Sequence, residues 1–237
     1  MIPAMAFPTT RWSLLAQATI NGDAAQKLAW AEFYRRYREA VVGFIRRQLP
    51  DPVRAEDLAQ EFFLHLMKNA TLQRADPRRG RFRSFLRGAL IRFLARDHER
   101  NLAEKRGSGL APVSLETLSA DEGEPTVPPA VALAFDREWA QLILERARQE
   151  VRAGWKGSAG ELTTLLRFLP GAVDTPAYEA AAAALGWPLA RLKTEVHRLR
   201  GQFRELVRAE VALTVEEPEE IEAELTHLHQ VLADPSA

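Results

Sequence analysis

The sequence predicts an all-α protein. Apolar residues recur at helical spacing along most of the 237 residues, and no segment alternates apolar and polar residues as a half-exposed strand would. Clusters of proline and glycine interrupt the periodic segments and divide them into separate helices. We therefore expect two small helical domains that are joined by a flexible, acidic linker.

Three helices are predicted in the N-terminal domain, which we place at residues 1–105. The first spans about residues 24–49, and the break LPDPVRAED separates it from a second helix at about 54–69. The segment ATLQRADPRRG has the Asp-Pro and Gly content of a loop. A third helix follows at about 81–100.

The flexible linker is predicted at residues 106–131, which contain three glycines and four prolines and almost no periodicity. The C-terminal domain is predicted at 132–212, and an acidic tail with one helix at 213–237. The helices expected after the linker span about 132–154, 158–169, 175–185, 188–212 and 216–233.

Composition narrows the possible functions. Hydrophobic residues make up 46% of the chain and charged residues 27%, which is typical of a soluble globular protein. There is no cysteine, and His227 and His229 are two residues apart and do not share a helix face, so we expect no disulfide and no metal site. No signal peptide, long apolar run, phosphate-binding glycine loop or nucleophile–base spacing is present. We expect a cytoplasmic, non-enzymatic protein with no membrane span, catalytic residue or cofactor.

Charge is distributed in four alternating blocks, although the net charge is zero. Counting Arg and Lys against Asp and Glu, residues 74–106 carry 11 − 4 = +7 and residues 188–208 carry 6 − 2 = +4. Residues 107–150 carry 3 − 8 = −5, and residues 209–237 carry 0 − 8 = −8. Two separate basic blocks favour contact with a polyanion at two places.

The second basic block has the pattern of a helix-turn-helix, TPAYEAAAAALGWPLARLKTEVHRLRGQFREL. Gly186 supplies a left-handed turn residue, and Pro188 suits a first helical turn. The outward face could contact bases and phosphates in a major groove, but a helical hairpin with a solvated basic face is the alternative, and Glu195 would repel a phosphate. The candidate duplex contacts are Arg191, Lys193, Thr194, His197, Arg198 and Arg200.

The first basic block, RADPRRGRFRSFLRGALIRFLARDHER, interleaves arginines with phenylalanines that we expect to lie mostly in the core. Arginines at i, i+4 and i+8 near its end could form a row of phosphate contacts. The loop at 74–81 could hold an unstacked base, and solvated surface arginines are an equally good explanation. The candidate contacts are Arg78, Arg79, Arg81, Arg83, Arg92, Arg96 and Arg100.

The second helix contains EDLAQEFFLHLMK, which places two stripes on one helix. The first is apolar and predicts a core face, made by Leu58, Phe62 and Leu66 and continued by Asn69. The second is mostly polar and is either the solvent side of a core helix or a surface for a partner. It consists of Asp57, Gln60, Glu61, Leu64 and Lys68.

These modules, in this order, resemble a bacterial RNA polymerase sigma factor of the extracytoplasmic-function type. AEDLAQEFFLHLMK is similar to that family's core-polymerase-binding stretch, and GRFRSFLRGALIRFLARDHER resembles the helix that follows it. AYEAAAAALGWPLARLKTEVHRLRGQFREL resembles the C-terminal helix-turn-helix, and FPTTRWSLL is similar to the opening of one subgroup. The chain departs from many relatives at Leu66-Met67-Lys68 and at Phe85, where tryptophan is commoner, and at Glu195, which leaves the promoter sequence open.

The resemblance implies partners and a mechanism. It implies that the second helix docks on the clamp helices of the largest polymerase subunit through Asp57, Gln60, Glu61 and Leu64. It also implies that the first basic block captures an unpaired base of the minus-ten element, and that the second recognises the minus-thirty-five element as duplex DNA. The acidic linker would thread toward polymerase channels. Whether an anti-sigma partner exists is left open.

Two other functions fit parts of the sequence. A stand-alone helix-turn-helix regulator explains the second basic block but leaves the polar stripe of the second helix without a role. A helical interaction protein without a nucleic-acid partner would bind DNA weakly and without salt dependence. The acidic tail is expected either as a solvated helix or as a helix that folds onto a basic surface and modulates DNA binding.

Overall fold

The structure, a computed structural model, describes residues 24–49, 51–68, 81–106, 129–215 and 217–234. These ranges contain eight α-helices and no β-strand, which confirms the predicted all-α class. No helix within them combines the length and the apolar character that a membrane span needs. The helices are α1 (Ala24–Gln48), α2 (Pro52–Lys68), α3 (Phe82–Arg106), α4 (Pro129–Gly154), α5 (Ala159–Leu166), α6 (Tyr178–Leu185), α7 (Leu189–Ala212) and α8 (Glu220–Ala233).

Most predicted helices lie within a few residues of the observed ones. Two ends differ: α3 continues to Arg106 instead of ending near residue 100, and α4 begins at Pro129, inside the predicted linker. Asn69, most of the predicted 74–81 loop, residues 107–128 and the FPTTRWSLL segment lie outside the described residues. The division into domains therefore stays a prediction.

The first hydrophobic core is built mainly from α1, α2, α3 and the first half of α4, and Val211 of α7 and Leu228 of α8 also belong to it. Trp139 of α4 is fully buried and stacks on Tyr37, with ring centres 5.4 Å apart and ring planes 5° from parallel. Phe82 of α3 completes this group, with its ring centre 5.9 Å from that of Trp139. Helix α4, which follows the predicted linker in sequence, is thus a structural part of the N-terminal core.

The second hydrophobic core joins the other half of α4 to α5, α6 and α7. Ala147 and Val151 of α4 are buried there against Phe168 and the inner face of α7. The inner stripe of α7 lies in this core, with Leu206 half-buried and its other members buried. Those buried members are Leu192, Val196, Leu199 and Phe203.

One stripe of α4 serves both cores. Its buried members follow one another at intervals of four residues: Phe135, Trp139, Ile143, Ala147 and Val151. Because an α-helix has about 3.6 residues per turn, each step turns the stripe by about 40°, and the four steps turn it by about 160°. The stripe therefore begins on the side of α4 that faces α1 and ends on the side that faces α7.

A three-residue turn connects α6 to α7. Gly186 ends α6 with φ 63° and ψ 29°, in the left-handed region. The N–H of Trp187 then donates to the carbonyl of Ala182 over 2.9 Å, which satisfies a carbonyl at the helix end. This geometry agrees with the predicted turn, and the interpretation as a DNA-binding helix-turn-helix stays a prediction.

We predict opposite effects of alanine at two glycines. Gly186→Ala should lower the free energy of unfolding by about 1–2 kcal/mol, because a Cβ is strained in the left-handed region. Gly201→Ala should raise it by about 0.5–1 kcal/mol, because Gly201 lies in the middle of α7. An added Cβ meets nothing within 4 Å at either site, so backbone conformation alone decides the sign. Urea denaturation measures both, and equal effects would contradict the assigned turn.

Candidate nucleic-acid and docking interfaces

The two stripes of α2 lie where the sequence predicts them. Leu58, Phe62 and Leu66 are buried in the first core. We call the opposite stripe (Asp57, Gln60, Glu61, Leu64 and Lys68) the docking stripe. Its members are exposed except Glu61, which is half-buried. Leu64 and the neighbouring Met67 are each 47% exposed, so the stripe presents apolar as well as acidic surface.

The carboxylates of the docking stripe are only weakly engaged. Glu61 Oε2 lies 3.7 Å from Arg100 Nη2, and the two side chains are 44% and 60% exposed, so this long ion pair contributes little to stability. Within the described residues, Asp57 and Gln60 have no assigned hydrogen bond or ion pair. The polar groups of the stripe are therefore available to a partner.

A row of arginines runs along the exposed side of α3. We call Arg92, Arg96 and Arg100 the arginine row. Arg100 Nη2 lies 2.6 Å from Asp97 Oδ1, so part of its charge is already compensated. Asp97, which is 8% exposed, also accepts from Arg54 Nη2 of α2 over 3.0 Å and so ties the two helices together. The arginine row and the docking stripe consequently keep a fixed relation to each other.

His65 lies between these two surfaces. Its ring centre is 5.5 Å from that of Phe93 on α3. Burial lowers the pKa of His65, and the positive charge of Arg96 lowers it further. The field of the arginine row therefore reaches the docking helix.

A buried ion cluster lies at the start of α3, where α3, α4 and α8 meet. Its members are Arg81, Arg83, Arg87, Asp136, Glu224 and His227. Glu224 accepts from Arg83 Nε over 2.9 Å and Nη2 over 3.3 Å, and from Arg81 Nη1 over 2.7 Å. Asp136 accepts from Arg87 Nη1 over 3.0 Å and lies 2.9 Å from His227 Nε2. The cluster joins the first basic block to the acidic tail.

Arg83 is the most enclosed cation of the cluster. Its Nη1 contacts Asp136 as an ion pair without the alignment of a hydrogen bond. Burial by itself lowers the pKa of Arg83, but the hydrogen bond to Glu224 and the charges of Asp136 and Glu224 outweigh it and raise the pKa. The two carboxylates of the cluster are thus paired with arginines. No group of three or more potential metal ligands occurs in the described ranges.

The predicted duplex-reading residues of α7 are all exposed. We call Arg191, Lys193, Thr194, His197 and Arg198 the recognition face. The guanidinium carbon of Arg191 lies 4.0 Å from the ring centre of Trp187, a cation–π contact at the start of the helix. Trp187 in turn packs against the second core. The turn residue thus holds one arginine of the face in place.

Glu195 is compensated within the helix. Arg198 Nη2 donates to Glu195 Oε2 over 2.6 Å, three residues away, so the carboxylate does not stand alone on the recognition face. Arg200, the remaining predicted contact, differs from the others because its Nε donates to the carbonyl of Phe168 over 2.9 Å. This bond ties α7 to the turn that follows α5.

The structure places the predicted DNA contacts of the first basic block in different environments. Arg78 and Arg79 lie outside the described residues, the arginine row is exposed, Arg81 is half-buried and Arg83 is buried. Sequence analysis did not single out Asp136 or Glu224 as partners of this block. The four-residue spacing of Glu224 from the apolar position 228 is a signal that it faces inward.

One family model matches the chain. Residues 33–102, from α1 through α2 to α3, match Sigma-70 region 2. This segment of the chain is similar to sigma-70 region 2. The docking stripe and the arginine row both lie within the matched segment, which covers less than one third of the chain.

The match supports the sigma factor family and points to promoter recognition in transcription initiation. A sigma factor domain implies interaction with RNA polymerase and with promoter DNA. The matched segment ends before α4 and does not include α4 to α8. Comparison with curated proteins gave no match.

We predict that Arg96→Ala raises the pKa of His65, because it removes the charge that opposes protonation. An NMR titration of the His65 ring measures this, and Arg191→Ala, on α7, should leave the value unchanged. In the wild type, the free energy of unfolding should fall as the pH drops through about 6.5, since the unfolded chain takes up the proton first. A His65→Gln variant with the same dependence would contradict this origin.

Proposed function

We propose that this protein is a sigma factor of the extracytoplasmic-function type that binds core RNA polymerase and directs promoter-specific transcription initiation. The observation that carries the proposal is the sigma-70 region 2 match over α1 to α3, with an exposed acidic stripe and an exposed arginine row on the matched helices. The resemblance of the C-terminal sequence to a sigma helix-turn-helix supports the second half of the proposal. Because polymerase is the partner, we expect the protein to act in the cytoplasm.

The docking stripe would bind the largest polymerase subunit. Asp57, Gln60 and Glu61 offer acceptors to a basic helix, while the half-exposed Leu64 offers apolar contact at the centre of the stripe. This combination suits an interface in which an apolar centre is surrounded by polar groups. Opposite charges would also steer the two proteins into register.

The first basic block would bind the minus-ten element. The arginine row can follow the phosphates of one strand, and the preceding loop, which includes Arg78 and Arg79, would hold an unpaired base. Capture of a flipped base would offset part of the stacking free energy that strand separation costs.

The recognition face would bind the minus-thirty-five element as duplex DNA. Arginine and lysine at the start of a helix can reach guanine edges and phosphates in the major groove. The contact between Arg191 and Trp187 restricts that guanidinium before DNA arrives, which lowers the entropy lost on binding.

Charge reversal on the docking stripe tests polymerase binding. Glu61→Lys should weaken binding to core RNA polymerase at least about tenfold, roughly 1.4 kcal/mol, because it places a cation against a basic partner. Run-off transcription from a pool of genomic fragments, with bacterial core polymerase, should lose the start sites that the wild-type protein produces. Folding should be unaffected, because the only ion pair assigned to Glu61 in the described residues is long and exposed.

Glu150→Lys is the matched control, since Glu150 is exposed on α4 and lies outside every proposed interface. This variant should transcribe as the wild type does. Wild-type protein that binds duplex DNA but gives no new transcripts would contradict the proposal and favour the stand-alone helix-turn-helix regulator.

Neutralising the arginine row should reduce the salt dependence of DNA binding. The double variant Arg92→Ala, Arg96→Ala should bind a single-stranded oligonucleotide more weakly, with a log–log salt slope that is smaller by about 1.4, or about 0.7 per phosphate contact. Fluorescence anisotropy at several salt concentrations measures the slope. A control with the same charge loss, Lys27→Ala with Lys156→Ala at two exposed positions, should keep the wild-type slope. Equal slopes in all three proteins would exclude the arginine row from the DNA contact.

A further inference from the structure

We propose that α8 competes with DNA inside the molecule: it covers Arg81 and Arg83 at the start of the minus-ten surface, and DNA must displace it to reach them. The inference rests on the proposed function, because it assigns these two arginines to the DNA surface. It adds a regulatory role for the acidic tail. The packing of α8 also excludes the expectation that the tail is a merely solvated helix.

Glu224 holds the two arginines as a phosphate would. Its two oxygens accept from Nε and Nη2 of Arg83, the paired geometry in which arginine binds carboxylate and phosphate alike. Arg81 Nη1 adds a third bond, of 2.7 Å, to Oε2. A carboxylate of the chain thus occupies the donors that a DNA phosphate would use.

The contact closes the surface to solvent. The side chain of Glu224 is 1% exposed and that of Arg83 is 4% exposed, while Arg81 retains 28%. A phosphate cannot reach Arg83 while α8 is in place. The arginine row, by contrast, is exposed in the same structure. On the proposed DNA surface, the arginine row is therefore open to solvent, whereas Arg83 is covered and Arg81 is partly covered.

Helix α8 has the features of a detachable element. Its inner side carries two buried apolar side chains, Leu228 and Val231, with Ile221 and Leu225 partly buried against the first core. Its outer side is exposed and mostly polar, with Glu222 as its exposed carboxylate. The helix follows α7 after seven residues, so it stays close to its site when it leaves. Residues 209–237 carry eight acidic and no basic side chains, so bound DNA would repel the docked helix.

Helix α4 would stay in place when α8 leaves. Asp136 also pairs with Arg83 and Arg87, but it belongs to the helix whose Phe135 and Trp139 lie in the first core. Release of α8 would thus leave the three arginines of the cluster with one carboxylate instead of two. The exposed surface would gain positive charge without loss of the fold.

The expected effect follows from the fraction of molecules in which α8 is docked. If α8 is docked about 90% of the time, the apparent affinity for DNA is about tenfold weaker than that of the open form. Release also frees two arginines for phosphates, so the log–log salt slope on single-stranded DNA should steepen by about 1.4.

The test compares the full chain with a chain that ends at Glu217 and with the full-length variant Glu224→Gln. Binding to a single-stranded oligonucleotide is measured by fluorescence anisotropy at several salt concentrations. The truncated chain should bind several-fold to tenfold more tightly and with the steeper slope. Glu224→Gln should shift both quantities the same way but less, because glutamine can still hydrogen-bond. This variant keeps α8, so the test does not depend on the truncated chain folding.

Glu219→Gln is the matched control, because it removes the same charge from an exposed position at the start of α8, where the side chain makes no capping hydrogen bond. It should bind DNA as the wild type does. Arg83→Ala in the truncated chain should cancel part of the gain in DNA affinity. Unchanged affinity and slope in both the truncated chain and Glu224→Gln would overturn the inference. Failure of the proposed function would instead appear as absent transcription with every chain, whatever the DNA affinities are.

Discussion

The burial of Phe135 and Trp139 of α4 in the first hydrophobic core is the interaction on which the rest of the structure depends. Trp139 stacks on Tyr37 and contacts Phe82, so α4 completes the core that α1 to α3 begin. Loss of one such buried aromatic side chain costs about 3–5 kcal/mol, so detachment of α4 would remove a large part of the stability of this core. The apolar stripe of α4 then winds round the helix into the second core, and α7 and α8 both pack against this helix.

This arrangement separates a fixed scaffold from a removable cover. The docking stripe lies on α2 and the arginine row on α3, and both helices are fixed, together with α4, by apolar side chains buried in the first core. Helix α8 is held by the buried Leu228 and Val231, by the partly buried Ile221 and Leu225, and by the polar contacts of Glu224 and His227. Breaking a buried ion pair is costly when one charge is left alone, but a DNA phosphate could take the place of Glu224. Exchange of one anion for another keeps the cost of opening low.

Local features of the fold were predictable because they depend on neighbouring residues. Apolar periodicity with proline and glycine breaks located the helices, and it separated the buried Leu58 and Phe62 from the exposed Asp57 and Gln60. Long-range features were not predictable in this way. Glu224 lies 141 residues from Arg83 in the sequence. The sequence pattern of the basic block is the same whether its arginines are solvated or covered by a distant carboxylate. The apolar stripe of α4, whose members are spaced by four residues, gave no sign in the sequence that two different cores would share it.

Amide hydrogen exchange, followed by mass spectrometry, tests the account most directly. It reports on α2, α4 and α8 of one sample through their rates of local opening. Core RNA polymerase should slow exchange in the docking stripe of α2, and subsequent addition of promoter DNA should speed exchange in α8 while α4 remains protected. Unchanged exchange in α2 with polymerase, together with equal or greater protection of α8 with DNA, would contradict the account.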